Sequence, residues 1–341
     1  MAKIDIFNLP KPVMQTGIAG KKLMFAGTND LGKSFQSARF PKPLLLAAEA
    51  GGSAITCPQI PIDNWSKFCE VVKQLTTDSA KAQEVYQTII VDTVEELVSR
   101  CEESVCRRFG VADISLVQSA DVKKNPNGYS YARNQFKQQV NALSNAGFCV
   151  IFITHSEENE VTDPITGETF KKLFPFGYNK EKSSNRFVCN LCDFVFMLVP
   201  QGVDPETNKT ILSKAICKET NRAFARSRFT QMQTYIEAFT AENVTAAIEE
   251  AIKKEAENAG AGLVEFTQVN HNFNRDDYFE MLKPYIAKLA PLYPEYVAKV
   301  IAEQLGENRK ITSATEDEVA ELGAIYDELS DFCCSRGIVV D

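Results

Sequence analysis

Residues Gly27-Thr28-Asn29-Asp30-Leu31-Gly32-Lys33-Ser34 set two glycines, a lysine and a hydroxyl at G-x-x-x-x-G-K-[ST] spacing. Each residue type answers one need of a triphosphate. Clustered negative charge is hard to hold in a partly dry site, so backbone N–H groups and a helix N-terminus must face it. Gly27 and Gly32 are expected to let the backbone come close, where a Cβ would clash. Lys33 is expected to reach the β- and γ-phosphates and Ser34 to hold Mg²⁺. Residues 27–34 are therefore the expected ATP-binding loop. Asp30 is unusual in it, because it puts a carboxylate inside an anion cradle. It points to solvent, faces a partner subunit, or weakens nucleotide binding.

Hydrolysis needs further groups: a second acid at the metal, a base for water and a sensor of the γ-phosphate. Open α/β sheets gather ligands at the carboxyl ends of their strands, and the sequence offers an acid or histidine at several such ends. Asp92 follows the apolar run Thr88–Val91 and suits Mg²⁺ held through water; it could also cap the next helix, and the two roles can coexist. Glu49 ends the strand after the phosphate loop. If that strand lies between the loop strand and the Asp92 strand, Glu49 faces the γ-phosphate and can activate water; otherwise it is a solvated loop acid. His155 is one of two histidines and closes the apolar strand Phe148–Thr154. There it reads as a γ-phosphate sensor or as a residue that merely ends a strand. Lys218, Arg222, Arg226 and Arg228 cluster further on. They could complete a neighbouring subunit's site, contact DNA phosphates, or form a solvated basic face.

The elements that would carry these residues alternate between strands and helices. Lys22–Ala26 is a short buried-strand run, and Lys33–Phe40 opens a helix stopped by Pro41. Pro43–Ala47, Gln87–Val91 and Phe148–Thr154 read as strands, with Asp63–Leu75, Val94–Phe109 and Tyr131–Asn145 as helices. This alternation implies a mainly parallel, covered sheet. Asp163–Glu168 and Asp204–Asn208 read as hairpin turns, and Cys192–Val199 and Ile211–Cys217 as late strands. Beyond about Thr240 the pattern is helical: Ala241–Asn258, Arg275–Ala290, Pro294–Leu305, and a last helix opened by a Ser313/Glu316 capping box. The expected division is 1–240 as an ATP-binding core and 241–341 as a helical C-terminal region.

Between His155 and Phe187, cations (Lys171, Lys172, Lys180, Lys182, Arg186) interleave with aromatics (Phe170, Phe174, Phe176, Tyr178, Phe187). Such a segment either stacks and tracks single-stranded nucleic acid or is a hairpin that buries its rings. Cys189-x-x-Cys192 lacks a second pair at zinc spacing and reads as a reduced core pair. No G-x-S-x-G elbow supports hydrolase chemistry of the Ser/His/Asp kind. A net charge of −8 excludes a generally basic nucleic-acid coat, so any DNA contact would be local. No run is apolar enough to span a membrane, and Met1–Lys22 has no signal-peptide core, so an intracellular protein without membrane contact is expected.

Taken in order, Gly27–Ser34, Glu49 one strand later, Asp92, His155 at a strand end, and Lys218 with Arg222 resemble the RecA-type ATPase core. They resemble more closely the phage RecA-core ATP-binding proteins proposed to act as single-strand annealing recombinases. The phrases Phe40–Gly52, Thr88–Asp92, Ile151–His155 and Cys192–Val195 share that family's look. The resemblance covers about residues 20–230. It implies a RecA-like P-loop core, ATP and Mg²⁺ as cofactors, and single-stranded DNA as partner. It also implies a ring or filament of like subunits with ATP between them, and a phage protein working in the host cytoplasm. Glu49 takes the catalytic glutamate role, His155 the sensor role, and Lys218 and Arg222 the role of cations acting in trans. The loop after His155 faces DNA. A single-strand-binding protein is a further possible partner of the helical tail. Two departures stand out: Asp30 and Leu31 replace the family's usual Pro-Gly, and Lys218–Arg228 is longer than a compact Lys-x-Lys or Lys-x-Arg. A nucleotide-gated interaction module with weak or no hydrolysis, of the helicase-loader kind, is the alternative.

Overall fold

The computed structural model describes residues 11–49, 55–117, 127–179, 185–266, 275–306, 308–315, 318–336, 338 and 340. In chain order the first elements are β1 (Val13–Gln15), β2 (Lys22–Ala26), α1 (Lys33–Ser37), β3 (Pro43–Ala47), β4 (Gln59–Pro61), α2 (Trp65–Thr77) and α3 (Ser79–Val85). Next come β5 (Thr88–Asp92), α4 (Val94–Phe109), α5 (Gly128–Asn145), β6 (Cys149–Thr154), β7 (Ser156–Thr162), β8 (Thr169–Pro175), α6 (Asn185–Leu191) and β9 (Phe194–Val199). Then follow β10 (Lys214–Ile216), β11 (Arg226–Ser227), β12 (Tyr235–Ile236), α7 (Ala241–Ala259), β13 (Gly262–Val264), α8 (Arg275–Leu289), α9 (Pro294–Leu305) and α10 (Val319–Arg336).

The main sheet runs β12-β10-β9-β2-β6-β5-β3-β4, with β11 also on β9. From β9 to β4 every pairing is parallel, whereas β10, β11 and β12 pair antiparallel. The sheet is therefore mixed: a parallel centre with an antiparallel margin. Parallel strands must be covered on both faces, which is why their sequences are nearly continuous apolar runs. Successive residues alternate between two cores. Met24, Leu44, Leu46, Ile89, Val91, Val150 and Phe152 face Trp65, Phe68, Leu97, Phe136 and Val140 of α2, α4 and α5. Leu23, Phe25, Leu45, Ile90, Ile151 and Ile153 face Val244, Ile248, Ala251 and Ile252 of α7. Replacing a buried ring such as Phe152 by Ala would cost about 3–5 kcal/mol.

Register brings the strand ends into line. Ala26 pairs with Thr154, Ile153 with Asp92, and Asp92 with Ala47. The residues just beyond β2, β3, β5 and β6 therefore share one edge of the sheet.

The chain forms two compact units, Met1–Val269 and Asn270–Asp341. Helix α7, assigned to the helical region by the expected division at 240, packs in the core of the first unit. The second unit has its own core, including Leu282, Leu289, Val300, Leu322, Ile325 and Leu329. Its last helix is not opened by Ser313, whose hydroxyl bonds back to Lys310 O at 2.6 Å. Glu318 does that work, accepting from Thr315 N at 2.8 Å while paired with Arg309; Glu316 lies outside the described residues. Among the described residues no helix is long and apolar enough to cross a membrane.

Candidate nucleotide site

The phosphate loop is bent between β2 and α1. Gly32 holds φ 77° as the N-cap of α1, a conformation that suits glycine. Gly27 is required for a different reason than close approach to phosphate: a Cβ there would lie 3.2 Å from Leu198 of β9 and 2.8 Å from Leu31 Cδ1. Helix α1 ends at Ser37, earlier than the Phe40 expected. Lys33 is buried and donates to Gly27 O at 2.9 Å and Thr28 O at 2.6 Å. Burial lowers its pKa, opposed in order by the carboxylates of Asp92, Glu95, Asp30 and Glu49. Asp30 takes φ 64° and, exposed, lines the cleft.

Ser34 and Asp92 are joined directly, Oγ donating to Oδ2 at 2.5 Å. Burial raises the Asp92 pKa, while the Ser34 hydroxyl and then the Lys33 ammonium pull it back. Asp92 does not cap the next helix; Thr93 is the N-cap of α4, and its buried hydroxyl has no hydrogen-bond partner among the described residues. The hydroxyl of Ser34 and the carboxylate of Asp92, joined at the cleft, are a hard-oxygen pair that fits Mg²⁺. This ion takes few protein ligands and completes its shell with water and phosphate oxygens.

Strand β3, which leads to Glu49, does not lie between β2 and β5: it sits on the far side of β5. Glu49 nevertheless reaches the same cleft. Its N–H and that of Ala48 both donate to Asp92 O, at 3.2 and 2.8 Å. Arg100 of α4 holds this turn from outside, Nη2 on Ala48 O at 2.5 Å and Nη1 on Asp63 O at 2.7 Å. A cleft of about 490 Å³ is lined by Asn29–Phe35, Glu49, Asp92, Thr93 and His155, with Leu45, Ala47 and Ile153. The loop lysine, the hydroxyl–carboxylate pair, Glu49 and His155 thus line one cavity.

His155 has partners that the sequence reading did not name. Its ring Nδ1 meets Glu95 Oε1 at 2.6 Å, and Nε2 meets Asn29 Oδ1 at 3.1 Å. Glu95 was hidden among the acids of a helix first turn, where a carboxylate is ordinary; its spacing of three from Asp92 is the one signal available. The His155 carbonyl accepts Phe176 N–H at 2.9 Å, tying the strand end to the β7–β8 hairpin.

Lys218 and Arg222 do not line this chain's cleft. Lys218 donates to Thr230 O at 2.6 Å, and the backbone around exposed Arg222 pairs with Leu173 of β8. Arg228 pairs with Asp193 at 3.0 Å, beside the start of β2, so it belongs to the opposite edge of the sheet. Arg226, on β11, donates to Asn190.

The segment after His155 is a hairpin that packs most of its aromatic residues. Phe174 and Tyr178 stack with each other and against Phe224, and Phe187 packs edge-on to Phe136. Lys171 pairs with Glu158 and Lys172 with Glu219. Phe176 remains 40% exposed. Lys180 and Lys182 lie outside the described residues. Cys189 and Cys192 are buried free thiols, and burial pushes Cys189 up to about 12. No group of three or more potential metal ligands of the His, Cys, Asp and Glu types occurs among the described residues.

Residues 19–229 match the AAA domain family. The SPbeta prophage-derived uncharacterized protein YorG of Bacillus subtilis is 34% identical over 338 residues, spanning 96% of this chain and 98% of that protein. Among solved structures, the RadB recombinase aligns with 62% of this chain and 84% of its own, at 11% identity and a TM-score of 0.34.

Proposed function

Since the chain belongs to the AAA domain family and is a P-loop ATPase, we propose that it spends ATP on the recombination of single-stranded DNA, as a phage protein. The observation that carries this reading is the meeting of Lys33, Ser34 with Asp92, Glu49 and His155 around one cleft. In this reading the loop N–H groups and Lys33 hold the β- and γ-phosphates. Ser34 and Asp92 hold Mg²⁺, which neutralises phosphate charge when bound. Glu49 accepts a proton from the attacking water, and His155 donates a hydrogen bond to the γ-phosphate. The tie from the His155 carbonyl to Phe176 passes nucleotide state to the hairpin. Lys218 and Arg222, outside their own cleft, complete a neighbour's site in a ring or filament. Prophage origin in a relative that matches nearly end to end supports the phage setting.

A second reading is a nucleotide-gated interaction module with slow turnover. Two features favour it: the hairpin's rings and several cations are engaged in packing and ion pairs, and Asp30 adds negative charge to the cradle. ATPase rates with and without single-stranded DNA, at two salt concentrations, separate the readings. Stimulation that fades with salt is expected of the recombinase, because phosphate contacts release counterions. A rate indifferent to DNA rejects it in favour of the module.

A further inference from the structure

Glu95 is an acidic side chain that does not itself line the cleft but contacts His155, which does. It sits in the first turn of α4 with its side chain 13% exposed. One oxygen, Oε1, takes two hydrogen bonds from a single residue: the His155 backbone N–H at 3.1 Å and ring Nδ1 at 2.6 Å. The pair fixes both the end of β6 and the orientation of the ring. Its other oxygen, Oε2, is buried without a partner among the described residues. Across the ring, Nε2 faces Asn29 Oδ1 at 3.1 Å, inside the phosphate loop. A continuous polar path therefore joins helix α4 to the loop.

An ionised carboxylate has no hydrogen to donate, so the proton in the 2.6 Å contact belongs to Nδ1. Asn29 Oδ1 can only accept, so Nε2 carries a hydrogen as well, and the ring that makes both contacts is the imidazolium, paired with the Glu95 carboxylate. We propose that Glu95 is the positioning residue for His155: it holds Nδ1–H so that Nε2 addresses the phosphate loop, and the γ-phosphate of bound ATP draws Nε2–H away from Asn29. No bond is broken and no proton changes owner; one hydrogen bond exchanges its acceptor. ADP lacks the γ-phosphate and leaves the His155–Asn29 contact in place. Glu95 thereby sets how well the site tells ATP from ADP. This rests on the reading of the cleft as an ATP site.

The chain has two histidines, His155 and His271, so ¹⁵N-histidine labelling yields two rings, assigned with a His271→Gln variant. In the wild type, the His155 Nδ1 signal is expected to be protonated. The Nε2 signal is expected to move with Mg²⁺ and a non-hydrolysable ATP analogue but not with ADP. Glu95→Ala should lose the fixed Nδ1–H and reduce the ATP-to-ADP affinity ratio about tenfold to hundredfold, the effect of one hydrogen bond to a charged group. Glu95→Gln, whose amide oxygen still accepts from Nδ1–H, should retain most of that ratio. A Glu95→Ala protein with the wild-type ratio overturns the proposal, as does a wild-type Nδ1 that carries no proton. Should Glu95→Ala fail to fold, the wild-type spectrum and the Gln variant decide. Failure of the wild type to bind ATP at all removes the underlying site reading instead.

Discussion

A single methyl group at Gly27 tests whether packing against β9 shapes the phosphate loop. A Cβ there would lie 3.2 Å from both Cβ and the carbonyl oxygen of Leu198, and 2.8 Å from Leu31 Cδ1. Carbon pairs are most favourable at about 3.5–4.0 Å, so something must yield by several tenths of an ångström. The Leu31 methyl can rotate away. Leu198 cannot, because β9 is paired with β2 on one side and with β10 through Leu198–Ala215 on the other. The loop therefore has to move. Overpacking of this kind costs about 1–3 kcal/mol, which lowers Tm by about 2–4 °C for each kcal/mol in a large domain. The same displacement pulls loop N–H groups off the phosphates, so ATP affinity should fall by about tenfold, near the worth of one hydrogen bond. Thermal unfolding and titration calorimetry of Gly27→Ala read both effects. Gly32→Ala is the control: its nearest neighbour would be 3.9 Å away, so it pays only for the left-handed φ, about 1–2 kcal/mol. A Gly27→Ala protein with wild-type Tm and wild-type affinity refutes the packing argument.

Lys33→Ala should weaken ATP binding by about a hundredfold or more, through loss of two charge-assisted contacts to phosphate; unchanged affinity by calorimetry rejects residues 27–34 as the site. Asp92→Asn should abolish Mg²⁺-dependent turnover yet raise Tm at neutral pH, because burial raises the Asp92 pKa and its ionised form is held at a cost. The sign follows from linkage. A carboxyl whose folded pKa is raised stabilises below its unfolded pKa and loses that stability as pH rises through the folded one. The Asn variant's advantage should therefore shrink as pH falls into the acid range, and an advantage that grows there contradicts the assignment. If Lys218 and Arg222 act in trans, mixing Lys33→Ala with a Lys218→Ala/Arg222→Ala protein should restore part of the ATPase rate that each lacks alone. A mixture no faster than the sum of its parts speaks against a shared site.

The strands around the cleft were legible because parallel strands buried on both faces read as continuous apolar runs, and because the loop motif marks which of them is β2. Asp92 and His155 could be placed by the same logic, each following such a run. Lateral strand order was not legible. Nothing within Pro43–Ala47 says that it pairs outside β5, and Glu49 reaches the cleft because its turn folds back onto the Asp92 carbonyl. Glu95 escaped notice because an acid in a first helical turn has an adequate local explanation. The hairpin's aromatics were ambiguous for a related reason: a ring that stacks on Phe224 and a ring that stacks on a base look alike in sequence. Helix α7 lies in the first compact unit, which its sequence does not reveal because an apolar stripe shows that a helix is covered, not what covers it.

In the proposed reading one triphosphate is gripped by groups from four strand ends at once. A crystal structure with Mg²⁺ and a non-hydrolysable ATP analogue tests it most directly. Lys33 Nζ and His155 Nε2 are expected within hydrogen-bond reach of the γ-phosphate, the metal on Ser34 with its water shell against Asp92, and Glu49 facing the attacking water. A nucleotide bound elsewhere, or bound here with Glu49 and His155 turned away from the γ-phosphate, would contradict it.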